Sequence, residues 1–148
     1  MLTKPFEALH LGDHTTTRAR TITETDIVLF ASLSGDWYPL HTDSDYAAHS
    51  IFGQRVAHGL LILAITSGLL IMEPRLVVAF YGMDRVRFTG PTFIGDTIHV
   101  ETEVVVREDR AERGGLVTFQ IETKKSTGDT VLAALLKILV AKADPTSS

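Results

Sequence analysis

The spacing of hydrophobic residues changes about halfway along the chain. Up to residue 74 the apolar positions mainly follow the period of a helix, after one short strand around Thr15–Thr21. From residue 76 to residue 142 they mostly alternate with polar positions, as in strands that bury one face. The pattern predicts a largely helical first half followed by four antiparallel strands, which is an α+β layout.

Three helices are expected in the first half. The first should begin after Thr23, a suitable N-cap, and should end at Gly35 and Pro39. A short second helix is predicted within residues 44–53. The third should run over about residues 58–72, where apolar residues occupy nearly every position.

Alternating residues define the strands of the second half. Thr97–Val106 and Val117–Lys124 alternate with a period of two, and glycine-containing turns are expected at Arg113–Gly115 and Thr127–Asp129. The apolar run Val131–Ala141 suits either a buried helix or a central strand. The short hairpin turn before it favours a strand.

The most apolar segment is the predicted third helix. Its residues 60–72, LLILAITSGLLIM, include no charged residue. As a helix they would span only about 20 Å, which is short of the hydrocarbon thickness of a bilayer. A core helix covered on most sides fits better, and an antiparallel sheet curled around it would supply that cover. This arrangement is the hot-dog fold.

Length and composition narrow the class of protein. The 148 residues predict one domain, residues 1–148, with a frayed tail at 144–148. The net charge of −4 and the lack of a Lys or Arg run argue against a nucleic-acid partner. The absence of cysteine excludes disulfides, thiolate zinc sites and a cysteine nucleophile. No apolar signal segment opens the chain, so we expect a cytoplasmic protein with no membrane partner.

Candidate chemistry lies in the segment between the first and third helices. Asp36 and His41 are five residues apart, which on a helix is about 140° around the axis, too far to converge. Pro39 instead predicts a loop, which can fold both side chains toward one point. A carboxylate and an imidazole that share one water molecule form an acid–base pair.

Gly59 adds a possible hydrogen-bond donor. It stands at the expected start of the third helix, where backbone N–H groups have no helical partner and the helix dipole is positive. A glycine allows a carbonyl group to approach closely, and the N–H can stabilise an enolate-like oxygen. With the acid–base pair, this donor suits reversible addition of water to a double bond conjugated to a thioester.

The same segments resemble a known family. Residues 35–41 (GDWYPLH), 52–53 (FG) and 57–59 (AHG) are similar to the motif of MaoC-like, (R)-specific enoyl-CoA hydratases. Residues 86–96 (VRFTGPTFIGD) resemble the family's strand-entry pattern, and the resemblance extends over about residues 20–142. It implies a hot-dog enzyme that converts trans-2-enoyl thioesters to (R)-3-hydroxyacyl thioesters, or the reverse, on CoA or a carrier, without a cofactor.

The resemblance also implies roles for individual residues. Asp36 and His41 become the catalytic pair, and the N–H of Gly59 becomes the donor to the thioester carbonyl. We assign Asp36 to take a proton from water and His41 to manage the proton at C2, although two coupled groups can share both roles. Candidate substrate-binding residues are Tyr38, Pro39, His58 and Ala64.

Two of these candidates depart from the family pattern. Tyr38 stands where the family usually has Asn, and Ala64 stands where hydratases of short acyl chains often have Ser. Both changes bear on the substrate more than on the reaction. For His58 the apolar neighbours favour a buried, hydrogen-bonded structural role over a catalytic one.

A second copy of the chain is expected to complete the fold. One antiparallel sheet around one helix leaves an edge strand and one helix flank uncovered, and two copies can close both. The resemblance likewise implies a homodimer, with the substrate pocket between the subunits.

Two other functions and a metal site are alternatives to the hydratase. A hot-dog thioesterase usually has a carboxylate on the central helix, and residues 60–72 contain no acid. A non-catalytic acyl-thioester-binding or dimerisation module would predict a disrupted acid–base pair. His41, Asp43, Asp45 and His49 cluster in sequence, but Asp43–Asp45 is typical of an N-cap, so no metal is expected.

Overall fold

Four α-helices and six strands form over residues 2–143, which the computed structural model describes. The helices are α1 (Glu24–Ser34), α2 (Pro39–Thr42), α3 (Ser44–Ala48) and α4 (Gly59–Leu69). The strands are β1 (His14–Thr16), β2 (Arg20–Thr21), β3 (Val77–Phe88), β4 (Thr97–Asp109), β5 (Gly115–Lys125) and β6 (Thr130–Val140). The expected tail at residues 144–148 lies outside the described residues.

The strands build one antiparallel sheet in the order β1-β4-β5-β6-β3, with β2 also paired to β4. Val100 of β4 pairs with Thr123 of β5, and Phe119 of β5 pairs with Leu136 of β6. The four predicted strands are therefore confirmed, including β6, for which a helix was the alternative. The short strand expected at residues 15–21 is divided into β1 and β2.

Helix α4 packs one face against the sheet. Its residues Leu61, Ile62, Ile65 and Leu69 share a single hydrophobic cluster with the inward-facing residues of β4, β5 and β6. Thr66 is the polar residue of this face, and its hydroxyl lies 2.7 Å from the hydroxyl of buried Thr123 on β5. The sheet and α4 thus form the two layers of one core.

The opposite flank of α4 is not covered by its own chain. Leu60 is 61% exposed, and Ala64, Ser67 and Gly68 follow it on the same exposed stripe. The expectation of cover around nearly the whole helix is therefore wrong for a single chain, and the expectation of one open flank is confirmed.

The helices differ from their predicted lengths where the backbone leaves helical geometry. Helix α4 ends at Leu69 rather than near Met72, because Leu70 is extended and Met72 forms a bridge with Leu2. Helix α3 ends at Ala48, before the predicted limit at residue 53. None of the helices in the described part of the chain has the length and apolar character needed to cross a bilayer.

Candidate active site

The end of α1 determines where Asp36 lies. Thr23 caps the start of this helix, and Gly35 ends it in a left-handed conformation with φ of 78°. The backbone N–H of Asp36 donates to the Ser34 hydroxyl at 3.2 Å, and Asp36 Oδ1 accepts the N–H of Tyr38 at 3.3 Å. A tight turn therefore holds the Asp36 carboxylate just beyond the helix.

His41 lies on a short turn of helix, α2. Pro39 begins α2, where a loop was expected. A proline at the first position of a helix loses no hydrogen bond, because the N–H groups there have no helical partner. The N–H at Nδ1 of His41 donates to the Val56 carbonyl at 2.6 Å, which leaves Nε2 as the proton acceptor of the neutral ring.

Asp36, His41 and His58 converge. One carboxylate oxygen and one nitrogen from each ring lie within 4.8 Å of one another. The expected meeting of Asp36 and His41 is thus present, because Asp36 precedes the new helix and the chain turns between them. The three groups could in principle surround a cation, but Nε2 of His58 donates to the Asp36 carbonyl and so has no lone pair to offer.

His58 is buried against Asp36 and His41. Its side chain is 2% exposed, and Nε2–H donates to the backbone carbonyl of Asp36 at 2.9 Å. Its ring stacks on His41 with 3.8 Å between centroids, and Phe30 packs on it with 4.9 Å between centroids. Burial lowers the pKa of His58, and the nearby His41 lowers it further.

A cavity of about 440 Å³ opens beside His41 and Gly59. Most of the remaining wall is apolar and includes Leu40, Phe52, Val56, Ile62, Phe88 and Val131. An apolar cleft with few polar groups at one end is typical of a site for a small molecule with an alkyl portion.

Gly59 begins α4 at the cavity wall. Its N–H is in the first turn, where no helical carbonyl can accept it. A Cβ atom at this position would lie 3.0 Å from ring carbons of Phe88. Close packing therefore favours glycine here, and the same lack of a side chain leaves the N–H open to a ligand.

His41 and Gly59 line the cavity, whereas Asp36 and the four other site candidates are not part of its wall. Tyr38 is 54% exposed, and its hydroxyl lies 3.2 Å from that of Tyr46. Pro39 begins α2, Ala64 lies on the open flank of α4, and His58 is shielded by His41. Substrate contact by these four residues stays a prediction.

Two aromatic residues of the wall were not recognised as site residues from the sequence. Phe52 and Phe88 lie in segments 52–53 and 86–96, which resemble the MaoC-like family, and that resemblance is the signal that could have identified them. Their position in the wall depends on packing between distant segments, such as the hydrogen bond from Ala57 N–H to the Thr92 carbonyl at 2.8 Å.

The acidic cluster after His41 has a structural explanation. Asp43 caps α3, and its Oδ1 accepts the N–H groups of Asp45 and Tyr46 at 2.9 and 3.0 Å. Nδ1 of His49 bonds to the Asp45 carbonyl at 2.7 Å. The N-cap interpretation is confirmed.

Comparison with known proteins places this site in a family context. Protein MaoC of Klebsiella aerogenes is 48% identical over 98 residues, which are 66% of this chain and 29% of that protein. An (R)-specific enoyl-CoA hydratase of Rhodospirillum rubrum is 41% identical over 80 residues, which are 54% of this chain and 56% of that protein. The match thus spans about half or less of each of these two relatives.

Solved structures match over nearly the whole chain. A monoamine oxidase regulatory protein from Archaeoglobus fulgidus superposes with a TM-score of 0.89 and 39% identity, covering 97% of this chain and all (100%) of that chain. A Mycobacterium tuberculosis protein described as having a double hot-dog fold gives a TM-score of 0.83 at 25% identity, over 98% of this chain and 46% of that one. The predicted hot-dog fold is confirmed.

The family model described as "MaoC like domain" matches residues 6–126, which include α1 to α4 and every candidate site residue. The chain therefore belongs to the MaoC-like domain family.

Proposed function

We propose that this protein is a hydro-lyase that adds water to the 2,3-double bond of a trans-2-enoyl thioester to give the (R)-3-hydroxyacyl thioester, or catalyses the reverse dehydration. The observation that carries the proposal is the convergence of Asp36 with His41, which lines a cavity together with Gly59. The Rhodospirillum rubrum relative, whose name is (R)-specific enoyl-CoA hydratase, supports it.

Asp36 and His41 supply the proton transfers in this scheme. Asp36 accepts a proton from water as the water oxygen bonds to C3, and the electrons of the double bond move toward the thioester carbonyl. Asp36 passes this proton to the neutral Nε2 of His41, which lies within 4.8 Å, and the imidazolium that forms gives it to C2, so that both groups return to their starting state. In dehydration, neutral Nε2 takes the C2 proton first.

Gly59 stabilises the charge that develops between these two transfers. The enolate oxygen of the thioester would accept the free N–H at the start of α4, where the helix dipole is favourable. The apolar walls around this position lower the local dielectric, which strengthens the hydrogen bond. The reaction needs no cofactor, because these three groups supply both proton transfer and charge stabilisation.

We further propose that the active form is a homodimer. The open flank of α4 carries Leu60 and Ala64, and edge strand β3 carries the exposed apolar side chains of Val78, Phe80 and Tyr81. A second copy that packed its own α4 and β3 against these surfaces would bury both. The substrate pocket would then lie near the boundary between subunits, where Tyr38 and Ala64 could reach it.

The assay that tests the reaction follows the loss of ultraviolet absorbance when the conjugated bond of crotonyl-CoA is hydrated. We expect turnover, a product of (R) configuration by chiral chromatography, and no release of free thiol. Thiol release without hydration would identify a thioesterase instead. Binding without turnover on enoyl thioesters of several lengths, on CoA and on a carrier protein, would identify a binding module.

A further inference from the structure

We propose that His58 is a positioning residue that holds Asp36 and His41 in their reactive arrangement while itself remaining uncharged. The inference rests on the proposed hydratase function, and it adds to that function a role for a side chain that does not line the cavity.

His58 contacts both members of the pair in different ways. Its Nε2–H donates to the Asp36 backbone carbonyl at 2.9 Å, which fixes the turn that carries the carboxylate. The flat face of its ring lies against His41, with 3.8 Å between centroids and 29° between ring planes. His58 therefore fixes Asp36 through the hydrogen bond to the Asp36 backbone, and it fixes the ring plane of His41 through stacking.

The ring of His58 is itself fixed from behind. His58 is the N-cap residue of α4, and the ring of Phe30 on α1 packs against the His58 ring with 4.9 Å between centroids. Movement of this ring would disturb the packing between α1 and α4, so its position follows from the core rather than from solvent. Precise placement matters because a shift of about 1 Å in a reacting group can lower the rate about a hundredfold.

Several observations require the ring to be neutral. The Asp36 carbonyl can only accept, so the hydrogen of the neutral ring lies on Nε2 and the lone pair on Nδ1. Nδ1 is buried and has no hydrogen-bond partner within residues 2–143. A proton on Nδ1 would be a buried donor without an acceptor, and it would place a second cation against His41. The titratable groups that face His58 are Asp36 and His41.

Three substitutions separate the two contacts. His58→Phe keeps a flat ring against His41 but loses the donor to Asp36. His58→Gln keeps an amide N–H that can reach the Asp36 carbonyl but loses the ring. His58→Ala loses both. The matched control is His49→Gln, because the ring of His49 also bonds to a backbone carbonyl, at 2.7 Å, but on the exposed end of α3.

We expect His58→Ala to lower kcat on crotonyl-CoA by about ten- to a hundredfold with KM little changed, because His58 does not line the cavity. His58→Phe and His58→Gln should each recover part of kcat, and His49→Gln should match the wild type. Circular dichroism at the assay temperature should show that each variant is folded, and only folded variants are compared. A wild-type kcat for His58→Ala, or equal losses in all three variants, would overturn the proposal.

A second measurement does not depend on catalysis. Two-bond ¹⁵N–¹H correlation spectra at neutral pH should show His58 neutral with its hydrogen on Nε2, and His41 with its hydrogen on Nδ1. A charged His58, or one with its hydrogen on Nδ1, would overturn the positioning role. If these spectra are as expected and no enoyl thioester is turned over, the hydratase proposal fails while the arrangement of the three residues stands.

Discussion

The ring of His58 contacts those of both His41 and Phe30, and its stacking on His41 brings two imidazole centroids to 3.8 Å. Two histidines can pack this closely only when at least one is neutral, because two imidazolium rings would repel each other in a partly buried site. Burial makes His58 the neutral member, and His41 is left as the ring that exchanges protons.

The lowered pKa of His58 predicts how stability depends on pH. Burial, reinforced by His41, holds the folded-state pKa below the ordinary value of 6.5. Below pH 6.5 the unfolded chain therefore binds more protons at this position than the folded chain, and the free energy of unfolding falls as pH falls toward the folded-state pKa. We expect urea titrations on both sides of that pH to show this loss in the wild type and a smaller loss in His58→Phe. Equal losses would contradict the prediction.

Removing either acid–base group should lower turnover with little effect on the fold. Asp36→Asn keeps an oxygen that can accept the Tyr38 N–H but cannot take a proton from water. We expect kcat on crotonyl-CoA to fall by about a hundred- to ten-thousandfold, and by a similar factor in His41→Ala. Asp45→Asn is the matched control, because Asp45 is an exposed acid on the neighbouring α3. Near-normal rates for both site variants would remove Asp36 and His41 from the mechanism.

The packing of Gly59 against Phe88 predicts an energetic coupling between these two residues. In Gly59→Ala the new methyl group would lie 3.0 Å from the Phe88 ring, so the half-exposed ring must shift and the cavity wall changes with it. We expect kcat/KM to fall about tenfold or more, while stability changes by only about 1 kcal/mol. In a double-mutant cycle with Phe88→Ala, the two losses should not add, because the smaller side chain removes the collision. Additive losses would show that the collision is not the cause.

A charge on the open flank of α4 should dissociate the proposed dimer. Leu60→Lys places an ammonium group on this flank, and burying it in an interface would be costly. We expect light scattering to give a dimer mass for the wild type and a monomer mass for Leu60→Lys. Leu11→Lys is the control, since Leu11 is 65% exposed and Leu60 is 61% exposed. A wild-type monomer at micromolar concentration, or an unchanged dimer in Leu60→Lys, would contradict the interface.

Chelation should not affect the reaction. Nε2 of His58, which lies 4.0 Å from the Asp36 carboxylate, carries the hydrogen donated to the Asp36 carbonyl and so cannot bind a cation beside that carboxylate. We expect dialysis against EDTA to leave the rate on crotonyl-CoA unchanged. A loss of activity that added zinc reverses would contradict this prediction.

The sheet and the first helix were predictable because their signals are local. Period-two alternation in β4 and β5 leaves one face apolar, and the left-handed Gly35 marks the end of α1. The helical turn at Pro39 was missed because proline is compatible both with a loop and with the first position of a helix. Sequence spacing cannot separate these two cases.

The arrangement behind the acid–base pair could not be predicted. His58 binds a backbone carbonyl of a residue 22 positions earlier, and a backbone group carries no side-chain signature. Its burial depends on Phe30 and His41, which approach it from α1 and α2. The resemblance to hydratases implied catalytic roles for Asp36, His41 and Gly59, but it did not indicate which groups His58 contacts.

The hydroxyl pair between Thr66 and Thr123 has a consequence for the far end of α4. Aliphatic side chains packed on an aliphatic sheet resist rotation about the helix axis only weakly, because many rotated positions bury similar area. A directional bond at one position restricts this rotation. It therefore helps to fix the angle at which the amide of Gly59, two turns away, faces the cavity.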